Sequence, residues 1–108
     1  MTLALALLGC ATEVLPPLCD DAPVVTWGNF GAGFVLERCA GCHAATAPNR
    51  YGAPEGVTFD TVDEVWSHRD AVLRTVVDDP PSMPPSTALT EDERLLVELW
   101  LTCAAPGT

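Results

Sequence analysis

The sequence predicts a small all-α domain, and three observations carry that prediction. Apolar residues recur at helical, 3.6-residue spacing in three separate segments. Two of those segments open on a capping box, Thr61-Val62-Asp63-Glu64 and Thr90-Glu91-Asp92-Glu93. The stretches between them are rich in Pro and Gly, and no βαβ pattern is visible. At 108 residues the chain is enough for one domain, with no internal repeat. A core of this size is usually marginal without a staple.

Met1 to Gly9 is an apolar run ending in small residues, the pattern of a targeting leader rather than of a folded element. It is too short to span a bilayer, which takes about 20 apolar residues. Leu7-Leu8-Gly9-Cys10 resembles a bacterial lipobox, although no Lys or Arg precedes the run. That resemblance implies lipidation of Cys10, an exported protein held on a membrane of the bacterial cell envelope, and a periplasm-facing domain. Residues 10–27 are Pro-rich and aperiodic, and read as a tether ending near Trp27. The folded domain is expected over residues 28–108.

The first helix is expected from about Gly28 to Cys39. Gly31, Val35 and Cys39 share one face, with Phe30 and Phe34 adding apolar area. Residues 44–60 are irregular, broken by Pro48, Gly52, Pro54 and Gly56. The second helix starts near Thr61 and carries the stripe Val62, Val65, Trp66, Val72, Leu73, Val76 and Val77. Asp79-Pro80-Pro81 ends it, because proline lacks the backbone donor and disfavours helix before it. The third helix opens at Thr90. Leu96, Leu99, Trp100 and Cys103 lie on one face, widened by Val97 and Leu101, so it is expected to be buried on much of its circumference.

The most specific motif is Cys39-Ala40-Gly41-Cys42-His43. C-x-x-C-H is the attachment motif of c-type haem. Two cysteine sulfurs add to the haem vinyl groups, and the adjacent histidine then offers a ring nitrogen to the iron. A zinc ribbon would need a second close ligand pair, and Cys10, Cys19 and Cys103 are far apart. A thioredoxin-type pair would sit in a βαβ unit. Ser82-Met83-Pro84-Pro85 is the second motif. Its prolines limit the loop that carries Met83, and a rigid loop can hold a thioether over a metal. His68 falls about 100° from the centre of its helix's apolar stripe, on the flank facing solvent, and is not expected to be a ligand.

Five cysteines are present. With Cys10 assigned to lipid and Cys39 and Cys42 to haem, Cys19 and Cys103 are left over and are expected to pair in an oxidising compartment. Formal charge is −10 and there is no Lys. That argues against nucleic acid, which attracts basic surfaces. Eleven of the fifteen acids follow residue 50, which solubilises the surface and could also steer a basic redox partner.

Taken together, residues 28–103 resemble the small monohaem class I c-type cytochromes. The matching parts are the helix running into Cys39–His43, Met83-Pro84-Pro85, and a last helix ending Leu99-Trp100-Leu101. The resemblance implies a cytochrome c-like fold, three main helices around one covalent haem c, with its iron ligated by His43 and Met83. It implies a crossing of the first and last helices, with Gly31 facing Trp100. It implies a proline carbonyl accepting the other N–H of His43, with Pro54 and Pro48 as candidates. Arg50 and Tyr51 either reach a propionate or belong to an exposed loop. The implied activity is single-electron transfer between redox partner proteins by a monomer that is not itself an enzyme. The alternatives are a haem-based gas sensor or small peroxidase with a labile sixth ligand, or a haem subunit of a larger oxidoreductase.

Overall fold

The computed structural model describes residues 14–85 and 88–108. Helix makes up 51% and no strand occurs among the described residues, so the fold is all-α. In chain order the helices are α1 (Ala32–Arg38), α2 (Ala40–His43), α3 (Val62–Ser67), α4 (Arg69–Val72) and α5 (Glu91–Cys103). A wide π-type turn, Trp27–Gly31, leads into α1, and a second one, Leu73–Val77, continues α4.

The first helical arm starts one residue earlier than the periodicity indicates. The Thr26 hydroxyl accepts the Asn29 N–H, and the Asn29 side chain accepts the Thr26 N–H. Asn29 also donates to the Val24 carbonyl at 2.8 Å, tying the incoming chain to the helix start. The arm is interrupted at Cys39 and resumes as the single turn α2. The second arm begins at the expected capping box: Thr61 Oγ1 accepts the Glu64 N–H, and Glu64 Oε1 accepts the Thr61 N–H. It is not continuous. His68, at φ −110° and ψ 20°, breaks it between α3 and α4. The α5 start repeats the device with Thr90 and Glu93.

The core is Val25, Phe34, Val35, Val65, Val76, Val97, Leu99, Trp100 and Leu101. Of the second arm's stripe, Val65 and Val76 are buried, and Trp66, Val72, Leu73 and Val77 pack against the core partly buried. On α5, Val97 and Leu101 are fully buried whereas Leu96 is only half-buried, so the widening residues face the core most directly. The α5 crossing with the first arm is tight. A Cβ on Gly31 would lie 2.6 Å from both Cζ2 and Cη2 of Trp100. Trp27 and Phe30 flank the same indole, with ring centroids 6.1 and 6.3 Å away.

Two arginines satisfy carbonyls at helix ends. Arg94 donates to Val77 O and pairs with Asp79 at 2.7 Å. Arg69 donates to Leu101 O. Terminal helix carbonyls lack intrahelical partners, so these bonds join α5 to the second arm.

Part of the segment expected to be a tether, residues 17–27, rests against the helices. Val14 is 92% exposed, but a short 3-10 turn at Pro17–Cys19 follows, and Leu18, Ala22 and Val25 pack on the core. A disulfide joins Cys19 to Cys103, with Cα atoms 5.6 Å apart. The Trp27 N–H donates to the Thr108 carbonyl. The physical reason is the crosslink: a segment bonded to the end of α5 is held where its few apolar side chains can be buried. Cys10 and residues 1–9, carrying the expected lipid and leader, lie outside the described residues. Among those described, no helix is long and apolar enough to cross a membrane.

Candidate functional site

A cavity of about 430 Å³ opens between the first arm, the 44–60 loop, the second arm and the Met83 loop. This is within the range of small-molecule and cofactor sites. Its deep wall is apolar, built from Phe34, Val35, Val65, Val76, Val97 and Trp100. Cys39, Cys42, His43 and Met83 all line it. The motif and the methionine, forty residues apart in sequence, therefore share one space.

His43 is positioned from both sides. Its backbone carbonyl accepts the Phe59 N–H at 2.9 Å, closing the base of the loop. Its ring packs on Phe59, with centroids 4.8 Å apart. Its Nδ1 lies 3.0 Å from the Val57 carbonyl. A carbonyl only accepts, so Nδ1 carries a proton, and Nε2 is the ring nitrogen left to offer a metal. Neither Pro54 nor Pro48 supplies this acceptor: the Pro54 carbonyl accepts Arg50 Nη2–H and the Val57 N–H instead. The acceptor comes from the residue that the loop brings beside the ring, whatever its side chain.

Cys39 and Cys42 are unpaired thiols on the cavity wall. Burial pushes the Cys39 thiol up to about 12, so it is held protonated. The Met83 loop is docked on the second arm by one carbonyl. Thr75 O accepts the N–H groups of both Ser82 and Met83, at 2.8 and 2.9 Å. The chain leaves the helical path at Asp78, which frees that carbonyl for the loop. Met83 is 39% exposed, at the rim of the cavity.

Two expectations change here. His68 does not face solvent. It is half-buried, lines the cavity, and sits edge-on to Phe59 with centroids 5.7 Å apart. Its Nδ1 is 3.0 Å from Glu64 O. The break at His68 changes the helical phase, so an angle calculated for an unbroken helix no longer applies. Arg50 also lines the cavity, but its guanidinium is engaged by the loop. It donates to the carbonyls of Ala44, Ala53, Pro54 and Val57 at 2.7–3.3 Å. Tyr51 is exposed at the cavity mouth, in the left-handed region with φ 48°, followed by Gly52 at φ 90°. Arg50 as the hub of the loop was missed; an Arg in a stretch with so many turn residues was the available signal.

Around the site, Glu64 is held below its ordinary value, first by the Thr58 hydroxyl and then by the Asp60 and Thr61 N–H groups. Glu93 is likewise lowered, first by the Thr90 N–H and then by Arg38. Arg38 also lines the cavity and bridges to Glu93 at 3.0 Å. Among the described residues, no three His, Cys, Asp or Glu side chains converge as a metal site.

The donor set fits a covalently attached haem: two free thiols, an imidazole whose Nδ1 is held by a carbonyl so that Nε2 is left to ligate, and a thioether around an apolar space. No protein-family model, curated protein or solved structure matches the chain.

Proposed function

We propose that the chain is a monohaem c-type electron carrier on an exported membrane surface. One observation carries this reading: Met83 lines the same cavity as Cys39, Cys42 and His43. Cys39 and Cys42 would hold the group by adding their S–H bonds across its two vinyl groups, each hydrogen passing to carbon, with no oxidant needed. His43 would ligate through Nε2 and Met83 through its sulfur. When bound, the haem supplies an iron that cycles between ferric and ferrous, and Met/His ligation raises its potential. The protein's own part is to fix the His43 tautomer on Val57 O, to dock the Met83 loop on Thr75 O, and to keep water from the deep apolar wall.

A cytochrome c-like fold follows from the same reading, supported by the Gly31–Trp100 crossing. Partners are redox proteins, for which a chain of net charge −10 favours a basic docking face. Cys10 would carry the lipid.

A second reading has a specific observation behind it. His68 lines the cavity with Nδ1 against a carbonyl, so its Nε2 is also free to ligate. Mutation separates the two. The chain is produced with haem-maturation machinery, and its intact mass and absorption spectrum are measured. A mass increase of one haem that survives acid-acetone extraction is expected. Met83→Ala should abolish the long-wavelength charge-transfer band of a methionine–iron bond, lower the potential and admit carbon monoxide; His68→Ala should change little. The opposite pattern makes His68 the sixth ligand. An untreated wild type that binds carbon monoxide at once favours a sensor or peroxidase. A colourless chain refutes the haem reading.

A further inference from the structure

We propose that Arg50 is a positioning residue for His43, acting through the Val57 carbonyl, and that it helps set the redox poise of the site. The electronic half of this rests on the haem reading; the geometric half concerns the chain alone.

The Val57 oxygen accepts two donors, His43 Nδ1–H at 3.0 Å and an Arg50 Nη2–H at 3.1 Å. A carbonyl oxygen has two lone pairs, so both are committed. Arg50 is itself anchored at three more points. Nη1 reaches Ala44 O at 2.8 Å, Nη2 reaches Pro54 O at 2.7 Å, and Nε reaches Ala53 O at 3.3 Å. Ala44 directly follows His43, and Val57 supplies its acceptor. One guanidinium therefore spans the loop from the residue beside His43 to the carbonyl that orients its ring. Only a planar fork with several N–H donors does this; a lysine ammonium is a single point on a flexible stem.

The guanidinium also has an electrostatic consequence. It holds the Val57 carbonyl in place against His43, and it sets a positive charge beside the ligand's loop. A positive charge near the iron favours the less positive, ferrous state. Without Arg50 the carbonyl is released from its anchor, so the His43 bond loosens, and the charge is gone. Loss of that charge favours ferric iron and lowers the potential.

The test uses full-length, haem-loaded protein with labelled histidine, as wild type, Arg50→Gln and Arg50→Lys. The His43 Nδ1–H is followed by NMR in the ferrous state, and the midpoint potential by titration. In Arg50→Gln that proton should exchange with solvent about ten-fold faster or more, as expected on losing a charge-assisted bond to its acceptor, and the potential should fall. Arg50→Lys should recover part of both. Wild-type exchange and potential in Arg50→Gln, whatever its melting temperature, would make Arg50 a loop staple only and overturn the proposal. A lowered potential with unchanged exchange would indicate a charge acting on the haem directly, as a propionate partner would, and overturn the positioning role. If Arg50→Gln does not mature, Arg50→Lys carries the test: it cannot reach all four carbonyls, so wild-type exchange there is fatal. If no variant takes up haem, the functional reading fails separately. The relay is then read in the haem-free chain from the ¹⁵N shifts of His43. The proton should sit on Nδ1 in wild type and move toward Nε2 in Arg50→Gln, and an unchanged tautomer refutes it.

Discussion

Replacing Gly31 with alanine sets two effects against each other at one atom. Gly31 has helical angles, φ −60° and ψ −42°, and Gly to Ala in a helix interior gains about 1 kcal/mol. Against this, the new methyl would meet Trp100 Cη2, Cζ2 and Cε2 at 2.6, 2.6 and 2.9 Å, where carbon atoms prefer about 3.5–4.0 Å. Trp100 is 1% exposed and flanked by Trp27 and Phe30, which limits how far the rigid indole can yield. Overpacking of this kind costs about 1–3 kcal/mol, and three close contacts with a fixed ring argue for the upper end. The net loss is then about 2 kcal/mol, or a melting temperature lower by roughly 8–16 °C for a domain of this size. Gly33 is the internal control. It lies one turn-step away in α1 with nothing within 4 Å of an added Cβ. Gly33→Ala should therefore gain up to about 1 kcal/mol. Urea and thermal unfolding, followed by far-ultraviolet circular dichroism on the haem-loaded chain, would read both. The double variant Gly31→Ala/Trp100→Phe should show a favourable coupling of about 0.5–3 kcal/mol. Phe also removes an indole N–H that is buried without a partner. A Gly31→Ala chain as stable as wild type would refute the reasoning, because helix propensity would then outweigh the crossing contact.

Joint replacement of Cys19 and Cys103 by Ser should lower stability by at most about 4–5 kcal/mol, the chain-entropy value for a loop of this length, since the bridge spans 84 residues. The haem spectrum should persist below the unfolding transition, and a changed spectrum in a still-folded variant would contradict a purely structural role. Glu64 ionises more readily folded than unfolded, so its contribution is present above its ordinary value near 4.5 and is lost as pH falls through the lower folded value. Stability should decline on acidification below about pH 4.5, less steeply in Glu64→Gln, and identical profiles for the two proteins would exclude the Glu64 linkage. In haem-free chain, Cys39, whose thiol burial pushes up to about 12, should alkylate more slowly than Cys42 at pH 8. Peptide mapping with mass spectrometry would measure the ratio, and equal labelling would count against the buried-thiol geometry.

Sequence by itself determined the parts of this protein that depend on neighbours along the chain. The capping boxes at Thr61 and Thr90 are legible because the pairing groups are three residues apart, and a stripe such as Val62–Val77 marks its buried face without reference to any partner. The Cys19–Cys103 bridge could be read by assigning the other cysteines first. Gly31 and Trp100 were readable only through a family resemblance, since nothing local says which aromatic a glycine admits. Tertiary structure alone decided the rest. It put Val57 rather than a proline against His43, because a backbone carbonyl carries no side-chain signature and loop closure chooses which one arrives. It turned His68 into the cavity, because a break of φ and ψ at one residue resets the helical phase for everything the periodicity assumed. It drew residues 17–27 onto the domain, because a crosslink overrides a composition that reads as tether. And it spent Arg50 on four carbonyls of its own loop, a role that exists only once residues 44 to 57 have come back together around one guanidinium.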